Sequence, residues 1–313
     1  MSIGALIVAH GMVSNGEILN PTEIIGSVSV VTRMAETFRQ INADRIVVVY
    51  SAERFPELTK QAAKMGALCL DCGKAFAEMF DCVKIGADYL QNKCDRMFLA
   101  SVDTPFFTAE TLNTLLLSKE MIVNPVFMGE IGHPLLLDKQ IVGELMEYKG
   151  GGGLRGFLEG TKHERGFAKV KDSGVICNRK TASDVESVAQ ECAKKNLHVS
   201  VNLQLVNERP FFGRTGAQLL GLIEETESVS LACRQMGISY SKGWKILGIM
   251  EEETGRKLVM RQQGGKNGGA ACLTKDGQEL LNRFEIFEKL CNTYIKKEFD
   301  ELFSHWQKGK QWE

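Results

Sequence analysis

Between residue 3 and about residue 197, apolar positions follow two alternating rhythms. Short unbroken runs at Ile3–Ala9, Arg45–Tyr50 (RIVVVY), Ala67–Leu70 and Arg96–Val102 (RMFLASV) predict buried strands. Between them lie segments in which apolar residues recur at helical spacing: Val28–Ile41 (with Val30, Val31, Met34 and Phe38 on one side), Glu57–Met65 and Met79–Leu90. Unbroken apolar strands separated by helices predict an α/β, doubly wound, Rossmann-like fold, its parallel sheet covered on both faces. After Val102 the pattern predicts a helix over Thr108–Leu117 and then glycine-rich, irregular chain. Strands are expected at Phe167–Val170 and Gly174–Cys177, and a last helix from about Thr181 to Asn196. Ligands of such folds bind beyond the carboxyl ends of the strands, which directs attention to the loops after Ala9 and Val102.

The rhythm changes near residue 198. A polar-alternating stretch, HVSVNLQLV, leads into helical patterns at Thr215–Glu225, Ser228–Met236 and Tyr240–Glu253. Short strands at Lys257–Arg261 and Ala270–Thr274 flank the glycine-rich Gln262–Gly269, and a long helix follows from Lys275 to about Gln307. This order predicts two domains, 1–197 and 198–313, the second a winged helix-turn-helix. Gly237 is placed to stop one helix, and Ser239 to cap the next. That next helix would present Tyr240, Ser241, Lys242 and Lys245 to a major groove, with Trp244, Ile246, Leu247 and Met250 turned inward. Lys266 and Asn267, at the hairpin tip, would reach an adjacent phosphate. From Ser239 to Asp276, seven cations (242, 245, 256, 257, 261, 266, 275) oppose four acids (251, 252, 253, 276), a local balance of +3. The same pattern also suits a small packing or protein-contact module.

Composition narrows the classes. Of 313 residues, 44% are hydrophobic and 25% charged, as in globular chains, and the formal net charge is −1. Nucleic acid is therefore expected on a local patch only. No apolar run approaches the ~18–20 residues of a membrane span, and the uncharged start, MSIGALIVAHG, is a first strand rather than a signal peptide. The nine cysteines are scattered, as expected of reduced thiols in a cytoplasmic protein. Cys69-Leu70-Asp71-Cys72 is a lone C-x-x-C without further ligands, which reads more simply as packing than as a metal or redox site.

Residues 205–305 resemble the DNA-binding domain of the ModE family of molybdate-responsive regulators, a LysR-like winged helix. The resemblance is carried by Met236-Gly-Ile-Ser-Tyr-Ser-Lys-Gly-Trp244, Leu258-Val-Met-Arg261, Gly264-Gly-Lys-Asn-Gly-Gly-Ala270 and Leu273-Thr-Lys-Asp-Gly-Gln278. It implies a homodimer formed through the long helix, along which Leu280, Leu281, Phe284, Phe287, Leu290, Tyr294, Phe299 and Phe303 make an apolar stripe. The chain ends at Glu313, short of the molybdate-binding domain usual in that family, so direct molybdate sensing is not expected.

Residues 3–195 resemble the MobA/MocA-like nucleotidyltransferases of molybdenum cofactor. The matching elements are Gly4-Ala-Leu-Ile-Val-Ala-His-Gly11, Phe98-Leu-Ala-Ser-Val-Asp-Thr-Pro-Phe106, Gly132-His-Pro-Leu135 and Gly152-Gly-Leu-Arg-Gly156. The resemblance implies a cleft at Ala9, Gly11, Asp103, His133 and Arg155, with Asp103 as catalytic and Mg2+-binding candidate and CTP, GTP or a molybdopterin species as ligand. The family's first loop carries Arg and Lys for a triphosphate; here it reads Ala9-His-Gly-Met-Val-Ser-Asn-Gly-Glu17, and the first cation in the chain is Arg33. Its second metal-binding acid would fall in Asn178-Arg-Lys-Thr-Ala-Ser-Asp184, which places Lys180 there. A lone carboxylate is a weak Mg2+ site. From the residues alone, Asp103 could equally cap Thr108–Leu117, and His133 could be held by backbone. Gly150–Gly153 reads as a flap rather than a phosphate cradle, because no helix start is evident after it. The combined expectation is a DNA-binding regulator with an inactive nucleotidyltransferase-like effector domain and a small-molecule ligand; the alternative is a bifunctional cytidylyl- or guanylyltransferase that also binds DNA.

Overall fold

The computed structural model describes residues 1–10, 13–14, 17–18, 20–64, 66–73, 78–179, 185–195, 197–261 and 270–307. It divides into a compact unit over Met1–Leu197 and another over His198–Ser304.

In the first unit, β1 (Ile3–Ala9) is buried at all seven positions, as its unbroken apolar run requires. Two short antiparallel ladders follow, β2 (Val13–Ser14) with β3 (Glu17–Ile18) and β4 (Ile24–Ile25) with β5 (Val28–Ser29). Then come α1 (Val30–Gln40), capped by Ser29, β6 (Arg45–Tyr50), α2 (Leu58–Lys64), β7 (Leu68–Asp71), α3 (Met79–Leu90) and β8 (Arg96–Ser101). After β8 the chain forms α4 (Ala109–Leu116), β9 (Ile122–Phe127), β10 (Glu130–Ile131), β11 (Leu135–Asp138), α5 (Lys139–Glu147), α6 (Gly153–Gly160), β12 (Arg165–Lys169) and α7 (Val185–Lys195).

The eight-stranded sheet runs β10-β9-β11-β8-β1-β6-β7, with β12 added beside β9. β7, β6, β1 and β8 are mutually parallel, whereas β11 is antiparallel to both β8 and β9. The sheet is thus mixed, not wholly parallel as the strand pattern predicts. Sequence reading also misses β9, β11, α5 and α6. β9 carries Asn124-Pro125, a pair that punctuates chains and masks a strand. The strand expected at Gly174–Cys177 is instead a 3-10 turn at Ser173–Val175, held by the Gly174 N–H donating to Asp172 Oδ1 at 3.1 Å. Phe38 anchors the core on one face of the sheet, its ring 5.7 Å from Phe98 and 5.2 Å from Phe107.

The second unit opens with antiparallel β13 (Gln204–Val206) and β14 (Pro210–Gly213). Then come α8 (Arg214–Thr226), α9 (Val229–Gln235), α10 (Tyr240–Thr254), antiparallel β15 (Val259–Arg261) and β16 (Ala271–Leu273), and α11 (Lys275–Gln307). Leu219, Leu220, Ile223, Leu247, Met250 and Leu281 are buried in its core, and Phe212 meets Phe284 edge to face at 5.0 Å. Among the described residues, no helix is long and apolar enough to cross a membrane.

Candidate functional site

The strand order places β1 between β6 and β8, so the crevice of the first unit opens where the chain leaves β1 at His10 and β8 at Val102. The turn after β8 is tight: Asp103 N–H donates to Ser101 Oγ (3.3 Å) and Thr104 N–H to the Ser101 carbonyl (3.1 Å). This projects Asp103, half-buried, from the end of the sheet.

Two more groups converge there from distant parts of the chain. His133 N–H donates to the Val175 carbonyl at 2.8 Å, and Gly132 N–H to the Pro125 carbonyl at 2.8 Å. Gly132 allows the close approach, since a Cβ there would lie 2.5 Å from the Val175 oxygen. The His133 ring is exposed, yet desolvation by the surrounding protein lowers its pKa, with the Asp103 carboxylate pulling the other way. That desolvation favours neutral imidazole at pH 7.

The second group is Arg179. Its N–H donates to the Asp103 carbonyl at 2.7 Å, and its guanidinium to the Val102 carbonyl at 3.2 Å and the Asn20 carbonyl at 3.5 Å. The side chain is only 2% exposed and pairs with Glu23. Burial lowers its pKa, while Glu23 and Asp103 oppose that shift. Sequence reading misses Arg179, although the segment it assigned beside the second metal acid does return to Asp103.

Other expected site residues fall elsewhere. The Ala9 side chain is fully buried in the core, so it lines no surface. Gly11 and Lys180 lie outside the described residues. Arg155 faces solvent and pairs with Glu159 on α6 at 2.7 Å. Lys84, on α3, donates to the Tyr148 carbonyl at 2.5 Å. Arg33 is buried, donating to the Ile25 carbonyl at 2.9 Å. The first loop nevertheless has a cation beside it: Arg54, from the loop after β6, donates to the His10 carbonyl at 3.0 Å.

Two alternatives are also settled by geometry. Asp103 does not cap α4; Thr108 does, and Asp172 Oδ2 accepts from Thr108 N–H, Thr108 Oγ1 and Thr111 Oγ1 at 2.7–2.9 Å. A helix does follow Gly150–Gly153: α6 starts at Gly153 after Gly152 at φ 81°, and Tyr148 Oη donates to the Gly151 carbonyl at 2.9 Å. The glycine run hides this start because it carries no Ser, Thr, Asp or Asn cap.

Among the described residues no three His, Cys, Asp or Glu groups gather as metal ligands, and the Arg179 guanidinium reaches the Val102 carbonyl beside Asp103. Cysteine chemistry is also muted. Burial pushes the thiols of Cys69 and Cys82 up to about 12 and that of Cys94 to about 11, so they remain protonated and inert.

In the second unit, Gly237 (φ 62°) ends the turn after α9, and Ile238 N–H donates back to the Cys233 carbonyl at 3.0 Å. Ser239 caps α10, accepting from Lys242 N–H at 3.2 Å. Ser239, Tyr240, Ser241, Lys242 and Lys245 are exposed, while Gly243, Leu247 and Met250 are buried; Trp244 and Ile246 are half-buried rather than fully inward. At the other end of α10, Glu251 accepts from Leu258 N–H (3.0 Å), Val259 N–H (3.4 Å) and Lys257 Nζ (2.5 Å). Burial acts to raise the Glu251 pKa, but Lys257 and those amides together bring it below the ordinary value. Arg256 pairs with Asp276 at 2.5 Å. Two of the seven cations are thus neutralised far from the Lys242 end. Lys266 and Asn267 lie outside the described residues.

Comparisons with known proteins bear on both units. Residues 22–166 match the family model of the MobA-like NTP transferase domain. A nucleotidyl transferase from Methanothermobacter thermautotrophicus superposes with a TM-score of 0.51 at 17% identity, covering 62% of this chain and 99% of that one. Protein Rv0371c of Mycobacterium tuberculosis H37Rv gives 0.50 at 15% identity, covering 61% and 99%. At such identities the likeness shows the fold alone, and the first unit is mixed α/β with nucleotidyltransferase-like neighbours. Among curated proteins, the transcriptional regulator ModE of Haemophilus influenzae is 30% identical over 95 residues, 30% of this chain and 37% of its own length. The DNA-binding transcriptional dual regulator ModE of Escherichia coli K12 is 34% identical over 84 residues, 27% and 30%. The molybdenum-pterin-binding protein MopB of Rhodobacter capsulatus is 35% identical over 94 residues, 26% and 35%. The chain spans about a third of the length of these curated relatives.

Proposed function

We propose that this chain is a molybdenum-linked transcriptional regulator that binds duplex DNA as a homodimer. Residues 198–313 form the winged-helix DNA reader, and residues 1–197 serve as an effector domain with a nucleotidyltransferase-like fold. The observation that carries this reading is the asymmetry of α10. Its capped N-terminal turn offers Ser239, Tyr240, Ser241, Lys242 and Lys245 to solvent, while Gly243, Leu247 and Met250 seat the helix on its own core. Exposed hydroxyls, an aromatic ring and lysines at a helix start suit phosphate and base-edge contacts in a major groove. The names of the partial relatives, regulators of the ModE type and a molybdenum-pterin-binding protein, support the molybdenum link. Lys266 and Asn267, which fall between β15 and β16 in the sequence, are the further DNA contacts of this reading.

The effector in this reading is a small molecule of the molybdopterin class, taken up beside Asp103 and His133. Its differential affinity for two dimer states would shift operator binding. The enzymatic alternative requires a metal-held triphosphate at Asp103, and the described residues gather no three metal-ligating groups.

Mobility shift on duplex DNA from upstream of the protein's own coding sequence tests the reading. Wild-type affinity should fall steeply with salt. Lys245→Ala should weaken binding about tenfold and shrink the log–log salt slope by about one, with the fold intact by circular dichroism. Unchanged affinity and slope in that variant would reject the groove assignment of α10.

A further inference from the structure

Several glycines inside the described helices stand where packing leaves no room for a Cβ. At Gly86, Gly216, Gly243 and Gly277 a Cβ would lie 2.1–2.9 Å from a neighbouring atom. Gly248, in the middle of α10, is different: it is exposed, its φ is not left-handed, and a Cβ there would meet nothing within 4 Å. Glycine in an exposed helix interior costs stability relative to alanine, so the fold itself gives no reason for it. Its place on the helix supplies one. Ser241, Lys245 and Gly248 recur at i, i+4 and i+7 and share one exposed face, while Gly243, Leu247 and Met250 repeat that spacing on the buried face. One turn further along the exposed line stands Glu252, paired with Arg209. This face is cationic where it begins, bare in its middle and neutralised at its end.

We propose that Gly248 is the point of closest approach between α10 and duplex DNA, its missing side chain letting the helix backbone settle deep in the major groove. The inference rests on the DNA-reader reading above. The major groove is about 12 Å wide, and a helix with its side chains measures about 10–12 Å across. In so close a fit, the side chains on the leading face set how deep the helix goes. Small Ser241 and bare Gly248 flank Lys245 on that face, so the lysine reaches its contact without holding the backbone off. Charge favours duplex DNA as the occupant, because Lys242 and Lys245 are exposed on the turns before Gly248.

The test is a mobility shift of the full-length protein on duplex DNA from upstream of its own coding sequence, joined to urea unfolding of the same preparations. Gly248→Ala should weaken binding about tenfold, the order that an added methyl costs a close-packed contact. Its log–log salt slope should stay at the wild-type value, since no charge changes. The same variant should raise the urea midpoint, because alanine is the better helix former. Affinity lost by a more stable protein is not a folding defect. Gly143→Ala on α5 is the control, for a Cβ there also meets nothing within 4 Å, and its DNA affinity should not move. Wild-type affinity in Gly248→Ala, or an equal loss in Gly143→Ala, would overturn the inference and leave the regulator reading standing. A lowered urea midpoint in Gly248→Ala would overturn it too, by returning the glycine to the fold. A wild type that binds no duplex DNA would remove the regulator reading, and the inference with it.

Discussion

Asp103 and Asp172 both follow strands of the same sheet, yet their carboxylates do different work. Asp172 is buried and spent on structure, accepting from Thr108, Thr111 and Gly174. Asp103 borders the crevice, facing His133 and Arg179. Spacing along the chain marks both acids; only the neighbours delivered by long-range folding separate a cap from a site. His133 yields a pH prediction. Its folded pKa lies below its ordinary value, so the unfolded chain binds more protons as pH falls through about 6.5. Its neutral state therefore supports the fold above that pH, and the support is lost below it. Wild type should lose more stability to urea between pH 7.5 and 5.5 than His133→Asn does; equal losses would mean that the ring titrates as it does in water.

At the scale of elements, the contact between α9 and α10 depends on one residue. A Cβ on Gly243 would lie 2.2 Å from Cys233 Sγ, and Cys233 is itself buried. Alanine gains at most about 1 kcal/mol of helix propensity there, against about 1–3 kcal/mol of overpacking. Gly243→Ala should therefore lower the urea midpoint, with a net loss of up to about 2 kcal/mol; a raised midpoint would show that the two helices have room to spare. Much at this scale is legible in sequence. The cap Ser239 and the helix it starts are where the pattern places them, and Ser228, read as the first residue of its helix, is instead its cap. What escapes is chain whose cues conflict: β9 with its internal proline, α6 opening on glycine, and the β-branched run that Asp172 bends into a 3-10 turn.

For the whole molecule, the proposed homodimer rests on α11. The apolar stripe read from sequence has two fates. Leu281 and Phe284 are buried in the second unit, whereas Phe287, Leu290 and Tyr294 are 47%, 63% and 65% exposed. Large apolar side chains exposed three and four residues apart form a seam suited to a second copy of the helix. Sedimentation equilibrium should find a wild-type dimer and a monomer for Leu290→Glu, with helix content unchanged. A monomeric wild type would end the homodimer assignment and, with it, the expectation of two half-sites.

Local rules alone determined the alternation of strands and helices up to Ser101, the capped helices of the second unit and the apolar stripe of α11, because periodicity and capping act over a few neighbouring residues. Tertiary structure decided the antiparallel β11, the partners of Asp103 and the presence of cations beside a first loop that has no Lys or Arg of its own. Arg54 and Arg179 lie far along the chain from the carbonyls they reach at His10 and Val102, and no spacing rule brings them together. The reason is physical: a buried guanidinium needs several acceptors at once, and in this molecule the folded backbone, rather than any local motif, supplies them.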